Sequence, residues 1–240
     1  MNDDARWMDI FSLVFSVAVV GLAVAWLAQT GAFAHLSLTQ ENLVWYMIRA
    51  AGITAYILLT VSVLWGLALS SSAVKDWSPG PLSMVLHATI SWLGLLFALG
   101  HGVLLLFDNY FTYTLSDVLV PFTGPYRPIA TGLGVSAFWV LLLVTPSFAL
   151  KKRFFSHKNW QRLHRTSYVA FLLATAHGLL TGTDASNPGM RALFGISALL
   201  TVILLGYRIG VKKAARKKPR QARPRAMARA ASGSNARPAA

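Results

Sequence analysis

Cysteine is absent from the 240 residues. Disulfides, thiolate zinc sites, iron–sulfur clusters and cysteine nucleophiles are therefore excluded, and histidine and methionine remain as strong metal ligands. Charge is scarce as well: Asp, Glu, Lys and Arg supply 12% of the chain, against roughly 25% in soluble domains. No glycine-rich phosphate loop follows a strand pattern and no internal repeat is visible. What is abundant is apolar surface. Hydrophobic residues make up 55% of the chain, and they fall into blocks close to the ~20 residues that a membrane-crossing helix needs.

The fold expected is all-α, a polytopic membrane helix bundle with six transmembrane helices. The spans are read at about Met8–Ala28, Tyr46–Leu69, Leu82–Phe107, Pro128–Ala149, Trp160–Leu180 and Met190–Ile209. Pro79 and Pro81 around Gly80, and Pro128, suit the opening turns of the third and fourth helices. Residues 1–210 form the membrane domain. The stretch Ala32-Phe33-Ala34 loosely imitates a signal-peptidase site, but Asp3, Asp4 and Asp9 crowd the leader and favour an uncleaved anchor.

The net charge is +14, and much of it lies beyond Tyr207. Residues 211–240 mix Lys and Arg with Ala, Pro, Ser and Gly and hold no aromatic residue, so a disordered basic tail is expected. After a span, such a tail marks the cytoplasmic side and attracts anionic membrane lipid; nucleic acid is not the expected partner. Lys151, Lys152, Arg153 and Lys158 place the loop between the fourth and fifth spans on the same side. Both termini are then cytoplasmic.

Six histidines are present. His35 and His157 fall in expected loops and read as solvated or interfacial. His87 and His101 lie in the third span, His164 and His177 in the fifth, where ionisable groups are costly and mark function by default. Fourteen residues separate His87 from His101, a depth of ~21 Å on nearly one face; thirteen separate His164 from His177, ~20 Å. Both helices run outward, so His87 is level with His164 and His101 with His177. Two imidazoles at each of two levels match the axial ligands of two haems. The fit is imperfect, because thirteen residues turn about 220° beyond whole turns. The fifth helix must overwind or bend, or the two levels must be rotated about the bundle axis, and no proline lies between the histidines to cause it. The bland alternative is a set of satisfied core histidines or a proton path. A haem-free transporter of protons or metal ions is the rival function, although transport sites favour the midplane.

The strings LHATISWLGLLFALGHG, with His87 and His101, and WQRLHRTSYVAFLLATAHG, with His164 and His177, resemble the ferric-reductase-like transmembrane domain family. IRAAGITAYILLTVSVLWGL in the second span is similar to it too, and the resemblance covers roughly residues 45–210. That family includes ferric reductases, the membrane part of NADPH oxidases and the haem-binding subunit of the bacterial methionine sulfoxide reductase system. It implies haem b, two per chain, and electron flow from the cytoplasmic side to an outside acceptor: a ferric chelate, oxygen or a periplasmic redox protein. The chain resembles the stand-alone bacterial form of the inner membrane. Its electrons would come from a separate cytoplasmic flavoprotein reductase, with the flavin supplied by that partner, or from quinol. A reductase, or the haem-bearing membrane subunit of one, is the activity implied.

Haem propionates favour cationic partners. Arg162 and Arg165 beside His164 suit an inner haem and Arg49 an outer one, while positive-inside anchoring competes for the inner pair. Phe171 and Trp92 lie between the two levels, where ordinary packing is the simpler reading.

Overall fold

The computed structural model describes residues 4–29, 40–71 and 80–217. The Ala32-Phe33-Ala34 motif, His35 and the basic tail from residue 218 onward lie outside them. Among the described residues the chain is all helical, with no strand. In chain order the helices are α1 (Asp4–Gln29), α2 (Gln40–Ser71), α3 (Gly80–Leu105), the short α4 (Leu115–Leu119), α5 (Pro128–Val144), α6 (Ser147–Phe154), α7 (His157–Arg165), α8 (Ser167–Thr181) and α9 (Pro188–Lys217). A 3-10 turn, Thr183–Ser186, joins the last two.

Four helices, α1, α2, α3 and α9, are long and apolar enough to cross a bilayer. Large apolar side chains stand exposed along the bundle, among them Val14 and Leu22 of α1, Leu172 of α8 and Val202 of α9. A water-soluble surface does not carry so much contiguous apolar area. The protein is a multi-pass membrane protein.

The fourth and fifth expected spans differ from their sequence reading. Pro146 has no N–H and its ring crowds the preceding turn, so α5 stops at Val144 and the chain resumes as α6. The fifth span divides at Thr166 into α7 and α8. There the Thr166 N–H donates to the Leu163 carbonyl at 2.9 Å, a three-residue turn, and its hydroxyl donates to the same carbonyl at 2.6 Å. Such back-bonding tightens and bends helices. The break lies between His164 and His177, so that of the alternatives the thirteen-residue spacing allowed, the helix bends. At the far end, α9 runs to Lys217, seven residues past the expected boundary at 210, and Lys and Arg suit a helix C-terminus.

The core is built on α2. Tyr56, Leu59, Val63 and Leu67 repeat at helical spacing and pack on Phe171 of α8 and Phe194 of α9. The Tyr56 hydroxyl is satisfied inside this core by the Ser197 hydroxyl at 2.6 Å and Thr175 at 3.1 Å. Helix α3 lies antiparallel along α2, and small residues let the two approach: a Cβ at Gly94 would sit 3.4 Å from that of Leu58. In lipid, where no hydrophobic force gathers helices, such close packing and buried hydroxyl pairs such as Ser62 with Ser91, at 2.7 Å, hold them together.

Candidate metal centre

Helix α3 carries His87 and His101 on the side facing α7 and α8. The break at Thr166 then lets both histidines of those helices turn toward α3. His87 stands opposite His164 with ring centroids 6.1 Å apart and planes at 73°. His101 stands opposite His177 at 6.2 Å and 74°. One spacing and one angle recur at two levels.

A direct N–H···N hydrogen bond between imidazoles would bring the centroids to about 5.2 Å. Two metal–imidazole bonds of about 2.0 Å, with about 1.1 Å from each nitrogen to its ring centre, give about 6.2 Å. Edge-on aromatic pairs also span this range, but packing alone gives no reason for the same geometry to repeat. Among the described residues no group of three or more His, Asp or Glu side chains converges on a point. An ion held by side chains alone therefore lacks ligands, whereas a haem brings four nitrogens of its own and asks the protein for two.

The backbone orients the rings. His101 Nδ1 lies 2.8 Å from the Ile48 carbonyl and His177 Nδ1 2.9 Å from the Ala130 carbonyl. A carbonyl only accepts, so Nδ1 carries the proton and Nε2 keeps its lone pair, the arrangement that metal-binding histidines adopt. His87 Nδ1 is buried without a hydrogen-bond partner among the described residues. His164 is held by stacking on Trp160, with centroids 5.2 Å apart.

Three glycines make room for these rings. A Cβ at Gly52 would meet His101 Nδ1 at 2.9 Å, one at Gly66 would meet His87 Cε1 at 3.1 Å, and one at Gly134 would meet His177 Nδ1 at 2.7 Å. The His101–His177 pair, labelled outer after the expected orientation, borders a cavity of about 890 Å3, and the His87–His164 pair, labelled inner, one of about 340 Å3. Leu59, Gly94 and Leu141 line both and form the partition between them. Phe171 is instead packed on Tyr56, and Trp92 donates from its indole nitrogen to Asp9 at 2.9 Å. Neither lines either of these two cavities.

The three expected arginines have separate fates. Arg49 lines the outer cavity, forms an ion pair with Asp184 of the 3-10 turn and lies 4.0 Å over the Trp45 ring. Arg165 borders the inner cavity. Arg162 is exposed on α7, outside the lining of either cavity. The first cation after Tyr207, Arg208, lines the inner cavity as well. Outside the spans, Tyr113 borders the outer cavity, where burial first, then Asp108, Tyr126 and Asp117, push its phenol up to about 12. Asp117 nearby is held below its ordinary value by the hydroxyl and backbone N–H of Thr114, with which it caps α4.

Sequence reasoning missed the glycines, although the signal was present. Gly52 and Gly66 are fourteen residues apart, like His87 and His101, and antiparallel helices bring equal spacings together. Asp184 carried no such signal.

A family model described as ferric reductase like transmembrane component matches residues 51–175, a stretch that contains His87, His101 and His164 and ends just before His177. No curated protein and no solved structure matches the chain.

Proposed function

This chain belongs to the ferric-reductase-like family of transmembrane components, and from that premise we propose that it carries electrons across a membrane through two b haems, one held by His87 and His164 and the other by His101 and His177. The observation that carries the reading is the repeat of one histidine-pair geometry at two levels, 6.1 Å and 6.2 Å between rings. Haem, when bound, supplies a reversible one-electron couple at each level. The residues of the chain bind and orient it. The Ile48 and Ala130 carbonyls fix two ring tautomers, and His87 with His164 and His101 with His177 would hold a haem at each level, which suits electron transfer. The apolar partition of Leu59, Gly94 and Leu141 keeps water from the path between the levels.

In this reading the chain crosses the membrane six times, with α5 and the pair α7–α8 completing the four longer helices, and both termini face the cytoplasm. The inner pair takes electrons from a separate cytoplasmic flavoprotein or from quinol. The outer pair passes them to a ferric chelate, oxygen or a periplasmic redox protein. The membrane is the bacterial inner membrane.

Pyridine haemochrome analysis of the purified protein tests the core of this reading. About two b haems per chain are expected, with absorption bands that sharpen on addition of dithionite. Protein that is folded and haem-free would overturn it in favour of proton or metal-ion transport.

A further inference from the structure

Arg208 sits where the apolar run of α9 meets its basic end, a place where lipid anchoring is the ordinary role of arginine. Its side chain does something else. Nη1 donates to the Tyr168 hydroxyl of α8 at 2.6 Å, which draws the guanidinium inward. Nε is buried and has no hydrogen-bond partner. The group lines the inner cavity together with His87 and His164.

A guanidinium never loses its proton in a protein and offers five donors. Buried without a counter-charge, it is costly. Arg49 is paired with Asp184, and Arg208 forms no ion pair among the described residues. The one carboxylate bordering the inner cavity, Asp9, is bonded to Trp92. Arg165, the other cation on this cavity, is exposed. Arg208 therefore presents a half-buried cation, with a buried and unused Nε donor, to a space flanked by two imidazoles, and an anion at that point would complete both.

We propose that Arg208, aligned by Tyr168, is a carboxylate-binding residue of the inner cavity and takes a propionate of the haem held by His87 and His164, not a lipid headgroup. The inference rests on the haem reading above and adds the anchor of one cofactor. It also fixes a sign. A cation beside a reducible centre favours the state that has gained an electron, so Arg208 raises the midpoint potential of the inner haem.

The test uses the full chain in neutral detergent, with His101→Ala included so that only the inner haem is read. Arg208→Gln should lower haem retained through gel filtration several-fold, and the haem that remains should titrate at a lower midpoint potential. Arg208→Lys should restore part of both, and Tyr168→Phe should shift the midpoint in the same direction by less. Adding phosphatidylglycerol should change none of these. The inference is overturned if Arg208→Gln keeps the haem at an unchanged midpoint, or if phosphatidylglycerol restores the variant to the parent's behaviour, which would make the site a lipid site. A parent protein without haem would instead end the functional reading itself, so the two failures are distinguishable.

Discussion

A methyl group added at Gly52 would lie 2.9 Å from Nδ1 of His101, the atom that donates to the Ile48 carbonyl. The glycine and the ring fit because nothing stands between them. Gly52→Ala must therefore push the ring or part α2 from α3, and overpacking of this kind costs ~1–3 kcal/mol. Haem content should fall at the outer site with the inner site kept. Gly134→Ala, at 2.7 Å from His177, should act on the same site at least as strongly, and Gly66→Ala, at 3.1 Å, should act on the inner site and more weakly. Haem counts together with low-temperature spectra would show the order; equal loss from all three would contradict it.

Pairing makes a sharper prediction. His87→Ala and His164→Ala should each remove the same haem, and the double variant should lose no more than either single one. His101→Ala and His177→Ala should do the same for the other haem. The measurement is the spectrum of each single and double variant. A His87 variant that matches the His177 variant would refute the two-level arrangement.

Arg49 and Asp184 join α2 to the turn between α8 and α9, with side chains 28% and 23% exposed. The pair is partly desolvated, so its coupling should be on the order of 1 kcal/mol, reduced by salt. Asp184→Asn should lower the thermal midpoint of the purified protein slightly and loosen the outer site before the inner one. A double-mutant cycle with Arg49→Gln gives the coupling. A cycle that sums to zero would leave Arg49 to its stacking on Trp45 alone.

Helix α7 carries Lys158, Arg162 and Arg165 at i, i+4 and i+7, and all three are exposed. If an acidic flavoprotein docks there, Lys158→Glu with Arg162→Glu should slow haem reduction severalfold at low salt, and added salt should slow the parent protein toward the same rate. The haem spectrum should not change. An unaltered rate in the correctly inserted variant would assign electron delivery to quinol. Lys151 is a poorer choice for this test, because its ammonium is engaged over the Phe148 and Trp160 rings.

The sequence carried the helical class, the membrane setting and the four histidines, because apolar blocks and costly intramembrane imidazoles are visible one residue at a time. What it hid depends on contact between distant segments. The odd spacing allowed a bend as one alternative, but a threonine followed by a serine is common in helices, and only the shared Leu163 acceptor shows Thr166 as the place of it. Arg208 was invisible as a cavity residue because, in the one-dimensional pattern, it is the first of a basic run. Arg162, next to His164 but one, looked the better partner, yet helical rotation turns it to the outside.

The register of α2 against α3 ties the two sites together. Gly66 meets His87 and Gly52 meets His101, so one set of residue pairings serves both. A slip of one residue would displace every contact by about 1.5 Å and rotate it by about 100°, and it would close the groove for both rings at once. Substituting a ligand removes one site; an insertion or deletion within α2 between Gly52 and Gly66 would misalign one pair relative to the other. The spacing within these two helices thus behaves as a gauge, with the length of chain between the glycines set to the distance between the histidines, and neither length is free to drift alone.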